Sequence, residues 1–155
     1  MSRCGRSRRF LLGAALSAVL LAGASWKSSV KAAEPHKLAL QISDDDPAKM
    51  RAVLDVSANV SRYYSGRGEE VDIVVVAFNG GLDMLIEDRS PVRERMKNFM
   101  KSMPNVSFVA CGNTLETLKA KEGKQPPLMQ GASVVEAGVA ALMDLSEKNW
   151  TIVRP

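Results

Sequence analysis

The chain is predicted to fold as a single α/β domain, a doubly wound sheet of about five mostly parallel strands flanked by about four helices. Three observations predict it. Short β-branched or apolar runs alternate with amphipathic helical stretches over residues 36–153, the pattern of a sheet covered by crossover helices. The run VDIVVVAF, residues 71–78, is nearly unbroken, as in a strand buried on both faces of a parallel sheet. Capping residues, prolines and glycines punctuate the helical stretches, and 155 residues suffice for one domain with its own core.

Taken in order, HKLALQIS alternates and then stops at DDDP, giving a first strand and a loop. Asp46 is placed as the N-cap of the first helix with Pro47 at its first position, where a missing N–H costs nothing. Met50, Val53, Leu54, Val60 and Tyr64 then share one helical face, and Gly66 and Gly68 end the helix. VDIVVVAF is the second strand. It runs into Asn79-Gly80-Gly81, a turn able to close around something small. LDMLI, residues 82–86, suits either a short strand or a helical turn.

Ser90-Pro91 repeats the cap-plus-proline start, for a second helix with Val92, Met96, Phe99, Met100 and Met103 inward. Its methionines read as gap-filling core. NVSFVA is the third strand, and CGNTLETLKAKEG is the third helix, stopped by Gly123. The loop KQPPLMQG is held extended by Pro126-Pro127. ASVVE, AGVAALMDLSEKN and WTIV give a fourth strand, a fourth helix with Val139, Leu142 and Met143 inward, and a fifth strand. No internal repeat interrupts this order.

The formal net charge of +4 suggests an anionic partner until its distribution is examined. Residues 1–32 hold six basic side chains and no acid. Removing those six from the 21 Lys and Arg leaves 15 against 17 Asp and Glu, a net charge of −2. The basic character therefore belongs to the N-terminal segment, and nucleic acid is not an expected partner. That segment has the three parts of an export signal: a basic start, the 16-residue apolar run FLLGAALSAVLLAGAS, and SVKAAEP. Val30 and Ala32 suit a signal peptidase, so cleavage is expected after Ala32 or Ala33, leaving a domain over residues 33–155 in the periplasm or secreted. The apolar run is shorter than the ~20 residues of a spanning helix, so no stable membrane insertion is expected after cleavage. SRRFLL resembles a twin-arginine signal and leaves export of a folded chain open beside ordinary secretion.

Cleavage removes Cys4 and leaves Cys111 as the one thiol of the mature domain. In a doubly wound sheet, ligands bind beyond the carboxyl ends of the strands. The loops predicted at that edge are SDDD, FNGG and CGNT, so Cys111 stands where function is expected. Asn113 and Glu116 have capping-box spacing, which starts the third helix at Thr114 and leaves Cys111 just outside it. Free N–H groups at such an end favour a thiolate, the reactive form. The candidate site is accordingly Cys111, with Asn79, Gly80, Gly81, Gly112, Asn113 and Thr114 as an environment for a small ligand or anion.

The chemistry is narrowed by what is missing. The only histidine, His36, reads as an exposed tail residue, so a Cys-His hydrolase lacks its base. There is no C-x-x-C, P-loop or G-x-G-x-x-G, and no cofactor is expected. Asp44, Asp45 and Asp46 read as a helix cap with solvated neighbours rather than a metal site, since a hard cation wants more oxygen ligands than three. Two functions fit: a group-carrying thiol, or a non-enzymatic oligomeric binding or scaffold module in which Cys111 is packing.

The stretches QISDDDPAKMRAVLDVSANV, VDIVVVAFNGGLDML, FVACGNTLETL and ASVVEAGVAALMDLSEKNWTIVRP together resemble the DsrE/DsrF-like family, which includes the sulfur-relay proteins of DsrE and TusD type. The most specific element is the strand followed by ACGNT. The resemblance implies a five-stranded doubly wound domain that assembles into homo-oligomers, trimers or hexamers. It also implies that Cys111, matching the family's cysteine position, carries sulfane sulfur as a persulfide from a donor to an acceptor thiol, with a sulfur donor or acceptor protein as partner. The sulfur-relay members work in the cytoplasm, whereas this chain reads as exported.

Overall fold

The computed structural model describes residues 34–155, and the expected export signal over 1–32 lies outside them. In chain order the elements are β1 (His36–Ile42), α1 (Pro47–Ser65), β2 (Val71–Ala77), a 3-10 segment (Asn79–Leu85), α2 (Arg93–Ser102), β3 (Val106–Cys111), α3 (Gly112–Glu122), β4 (Ala132–Val135), α4 (Gly138–Glu147) and β5 (Thr151–Val153). All strand pairs are parallel, in the order β4-β3-β2-β1-β5. This is the single doubly wound α/β domain predicted from the alternating pattern.

Alternation along the strands divides the core in two. Leu38, Leu40 and Ile42 of β1, Ile73 and Val75 of β2, and Phe108 and Ala110 of β3 face one side, against Met50, Val53 and Leu54 of α1, Met96 and Phe99 of α2, and Leu115 of α3. The rings of Phe99 and Phe108 meet edge to face, with centroids 6.3 Å apart, a geometry that adds about 1 kcal/mol to their burial. Ala39, Val76 and Val109 face the other side, where α4 supplies Leu142 and Leu145. The two layers are unequal. Three helices and the 3-10 segment cover the first face, and α4 is the only helix on the second among the described residues.

Local starts and stops follow the sequence at several points and depart from it at others. Asp46 caps α1 by accepting the Ala48 N–H at 2.7 Å, with Pro47 next to it, as expected. Ser90 and Pro91, in contrast, do not open α2. The Ser90 hydroxyl and carbonyl accept from Val92 and Arg93 in a preceding turn, so the helix starts at Arg93, after a residue with no capping side chain. The ambiguous LDMLI is largely 3-10, and its last residue, Ile86, makes an isolated bridge to Leu128.

Two side-chain expectations on α4 are corrected. Leu142 is buried, but Val139 and Met143 are 54% and 62% exposed. They are one turn apart on the helix's outer face, because α4 is apolar on more of its circumference than one sheet layer can cover. His36 is likewise no tail residue. It opens β1, stacks on Tyr64 at 3.9 Å and bonds to Glu69 at 2.7 Å. In a parallel sheet that places it at the opposite edge from Cys111. Among the described residues no helix is long and apolar enough to cross a membrane.

Candidate functional site

Cys111 ends β3, opposite Val135 of β4, and it is 6% exposed. Its backbone is extended (φ −75°, ψ 117°) and it occupies the N-cap position of α3 itself. The expected capping box is therefore displaced by two residues. Asn113 lies inside the first turn and donates its N–H to the carbonyl of Glu136 at 3.0 Å, so tertiary pairing takes the group that the local motif would have used. The consequence is chemical. A sulfur stands where a capping oxygen usually accepts from the second or third N–H group of a helix, and here it makes no capping hydrogen bond to α3.

A second helix end reaches the same atom. The N–H of Gly138, the first residue of α4, donates to Cys111 Sγ at 3.2 Å. Side chains alternate along β3, so Cys111 shares with Val109 the face covered by α4, which is why α4 meets it. Gly138 must be small for this approach, since a Cβ there would lie 3.2 Å from Cys111 Cβ and 3.3 Å from Phe78 Cβ.

The thiol's acidity follows from these contacts. Burial pushes the Cys111 pKa up, and the nearby Thr114 hydroxyl, the Gly138 N–H and the polarity of the Thr114 and Asn113 N–H groups more than offset it, leaving the pKa below the ordinary thiol value; of these only the Gly138 N–H is within hydrogen-bond geometry of the sulfur. The Thr114 hydroxyl is itself fixed by its other neighbour. Its oxygen accepts the Asn79 N–H at 3.1 Å, and Asn79 presents that N–H from a left-handed conformation, φ 49°. The ends of β2, β3 and β4 thereby converge on one sulfur.

Around the sulfur opens a cleft of about 620 Å³. Of the residues singled out from sequence, Cys111, Asn79, Gly80, Asn113 and Thr114 line it. Gly81 and Gly112 serve the scaffold. A Cβ on Gly81 would come within 2.3 Å of the Ile42 carbonyl oxygen, and one on Gly112 within 2.9 Å of the Val135 carbonyl oxygen. Each lets a neighbouring backbone pass close by, and Gly112 thus seats the β4-α4 connection beside the thiol rather than admitting a ligand.

The cleft also contains residues that sequence reasoning passed over. Gly138 lies in EAGV, a fourth loop at the carboxyl edge of the sheet, which the alternation of strands and helices could have added to the other three. Thr117, Leu118 and Lys121 follow Thr114 at helical spacing and line the cleft with it. Asp83 and Arg89 enter from the 3-10 segment and the turn after it. Arg89 pairs with Glu122 at 2.5 Å and approaches Asp83 at 3.8 Å. Burial raises the Asp83 pKa, with Asp45 and Glu122 adding to the effect and Arg89 opposing it. Asp44 is occupied elsewhere, in ion pairs with Lys49 at 3.0 Å and Arg154 at 2.8 Å.

No family model matches the chain, and no curated protein matches it. Among solved structures, a protein of unknown function, MTH1491 from Methanobacterium thermoautotrophicum, is similar, with a TM-score of 0.67 and 26% identity. The likeness covers 77% of this chain and 99% of that one.

Proposed function

We propose that this chain is a sulfur-handling protein of the cell envelope that carries sulfane sulfur as a persulfide on Cys111 and passes it to an acceptor thiol. The observation that carries the reading is the seat of the sulfur, at the cap of α3 with the Gly138 N–H of α4 upon it. Such a seat favours the thiolate needed to attack a sulfane sulfur, and it favours the terminal anion of a persulfide for the same reason. The likeness of the strand-ACGNT stretch to the DsrE/DsrF-like family points to the same chemistry. The absence of histidine near the thiol suits a carrier better than a hydrolase.

Loading should be seen by incubating the purified chain with inorganic polysulfide and measuring intact and peptide masses. One added sulfur on the Cys111 peptide, absent from Cys111→Ser, is the expected result. No added sulfur on a thiol that a small alkylating agent does label would overturn the reading.

The second reading, a non-enzymatic oligomeric binding or scaffold module, draws on the exposed Val139 and Met143. In that case the native thiol is alkylated slowly and becomes fast only in denaturant. A homo-oligomer formed over α4 is part of our proposal in either reading. We further propose that the first 32 residues direct export, so that the periplasmic chain begins at Ala33.

A further inference from the structure

What donates sulfur to Cys111 is constrained by the shape of the cleft, taking the persulfide reading as given. Thr114, Thr117, Leu118 and Lys121 all line it. Steps of three, one and three residues put them on one face of α3, so the cleft runs along the helix and not only down onto the sulfur. Seven residues at 1.5 Å each give a length of about 10 Å from Thr114 to Lys121.

The chemistry changes along that length. At the near end are the thiol and its N–H donors; Leu118 and Phe78 give apolar wall; at the far end stand two cations, Arg89 and Lys121. Arg89 is already held by Glu122 and Asp83. Lys121 makes no ion pair among the described residues. A ligand that satisfies both ends has a sulfur at one and an anion about 10 Å away, the reach of roughly three extended residues.

We propose that the donor is a low-molecular-weight persulfide of short-peptide size, lying along α3 with a carboxylate on Lys121, which makes Lys121 a specificity-determining residue. In the transfer, the Cys111 thiolate attacks the outer sulfur of the donor R–S–SH. The new bond joins Cys111 Sγ to that sulfur, which keeps its proton; the donor's S–S bond breaks, and its electron pair leaves with R–S⁻. No external oxidant or reductant is needed, because the sulfane sulfur passes between two thiolates at the same oxidation level.

The test compares the rate of sulfur gain on Cys111 from glutathione persulfide, from its diethyl ester and from inorganic polysulfide, in wild type and Lys121→Gln. Wild type should load faster from the acid than from the ester. Lys121→Gln should lose about fivefold with the acid, the upper range for one exposed ion pair, and nothing with the ester or polysulfide. Equal rates from acid and ester, or equal losses with all three donors in the variant, would overturn the inference. Loading by polysulfide but by neither peptide donor overturns the donor class and leaves the carrier reading standing. Loading by none of them removes both.

Discussion

Thr114 shows how one hydroxyl can set the state of a thiol. Its oxygen accepts from the Asn79 N–H, so its own hydrogen is free to turn toward the neighbouring sulfur, whose pKa it helps to lower. Thr114→Val keeps the shape and removes the donor, so the thiolate loses support and its pKa rises. The pH midpoint of Cys111 alkylation should move up, slowing alkylation at any pH below both midpoints, and Thr114→Ser should restore it. A midpoint that stays put in the valine variant would show the hydroxyl to be idle. The cysteine and its threonine were visible in the sequence as neighbours of a strand end. Their geometry was not, because Asn79 and Gly138 lie 35 and 24 residues away from Thr114 and local spacing carries no information on such pairs. The Asn113-Glu116 motif misled for the same reason, since Glu136 claims the N–H that a capping box would have used.

At the scale of elements, the loops after β1 and β2 rest on each other through glycine. Gly81 lies beneath the Ile42 carbonyl, where backbone cannot give way as a flexible side-chain end could. Gly81→Ala should cost about 1–3 kcal/mol, as overpacking does, measured as a drop in unfolding free energy in denaturant. If the loop shifts to accommodate the methyl group, Asn79 shifts too and the alkylation profile of Cys111 should change with it; a variant with wild-type stability would overturn this account. Strands and helices were readable because each repeats its own period over several residues. β2 announced itself through VDIVVVA, and α1 through Asp46-Pro47 and a single apolar stripe. α4 was misjudged because Val139, Leu142 and Met143 are all apolar, and which of them faces the sheet depends on a layer that the helix's own residues do not describe.

For the whole molecule, the unequal coverage of the sheet matters most. Among the described residues the second face has α4 as its single helix, and that helix turns Val139, which lines the cleft, and Met143 outward. If copies of the chain associate there, Met143→Glu places a charge in the contact and should lower the mass found by sedimentation while leaving thermal unfolding of the released protomer cooperative. A wild-type chain that sediments as a monomer would remove this expectation. The parallel sheet has one more implication, for the order in which the domain is made. β1 lies between β2 and β5, and Leu38, Ala39 and Leu40 pair with Thr151, Ile152 and Val153, the last strand in chain order. Until those three residues join the sheet, β1 presents an unpaired edge of the kind that invites strand addition from other chains. Closing it requires the longest loop in the fold, a slow step for a chain of this topology. A holding chaperone during synthesis would find its best target in that waiting edge.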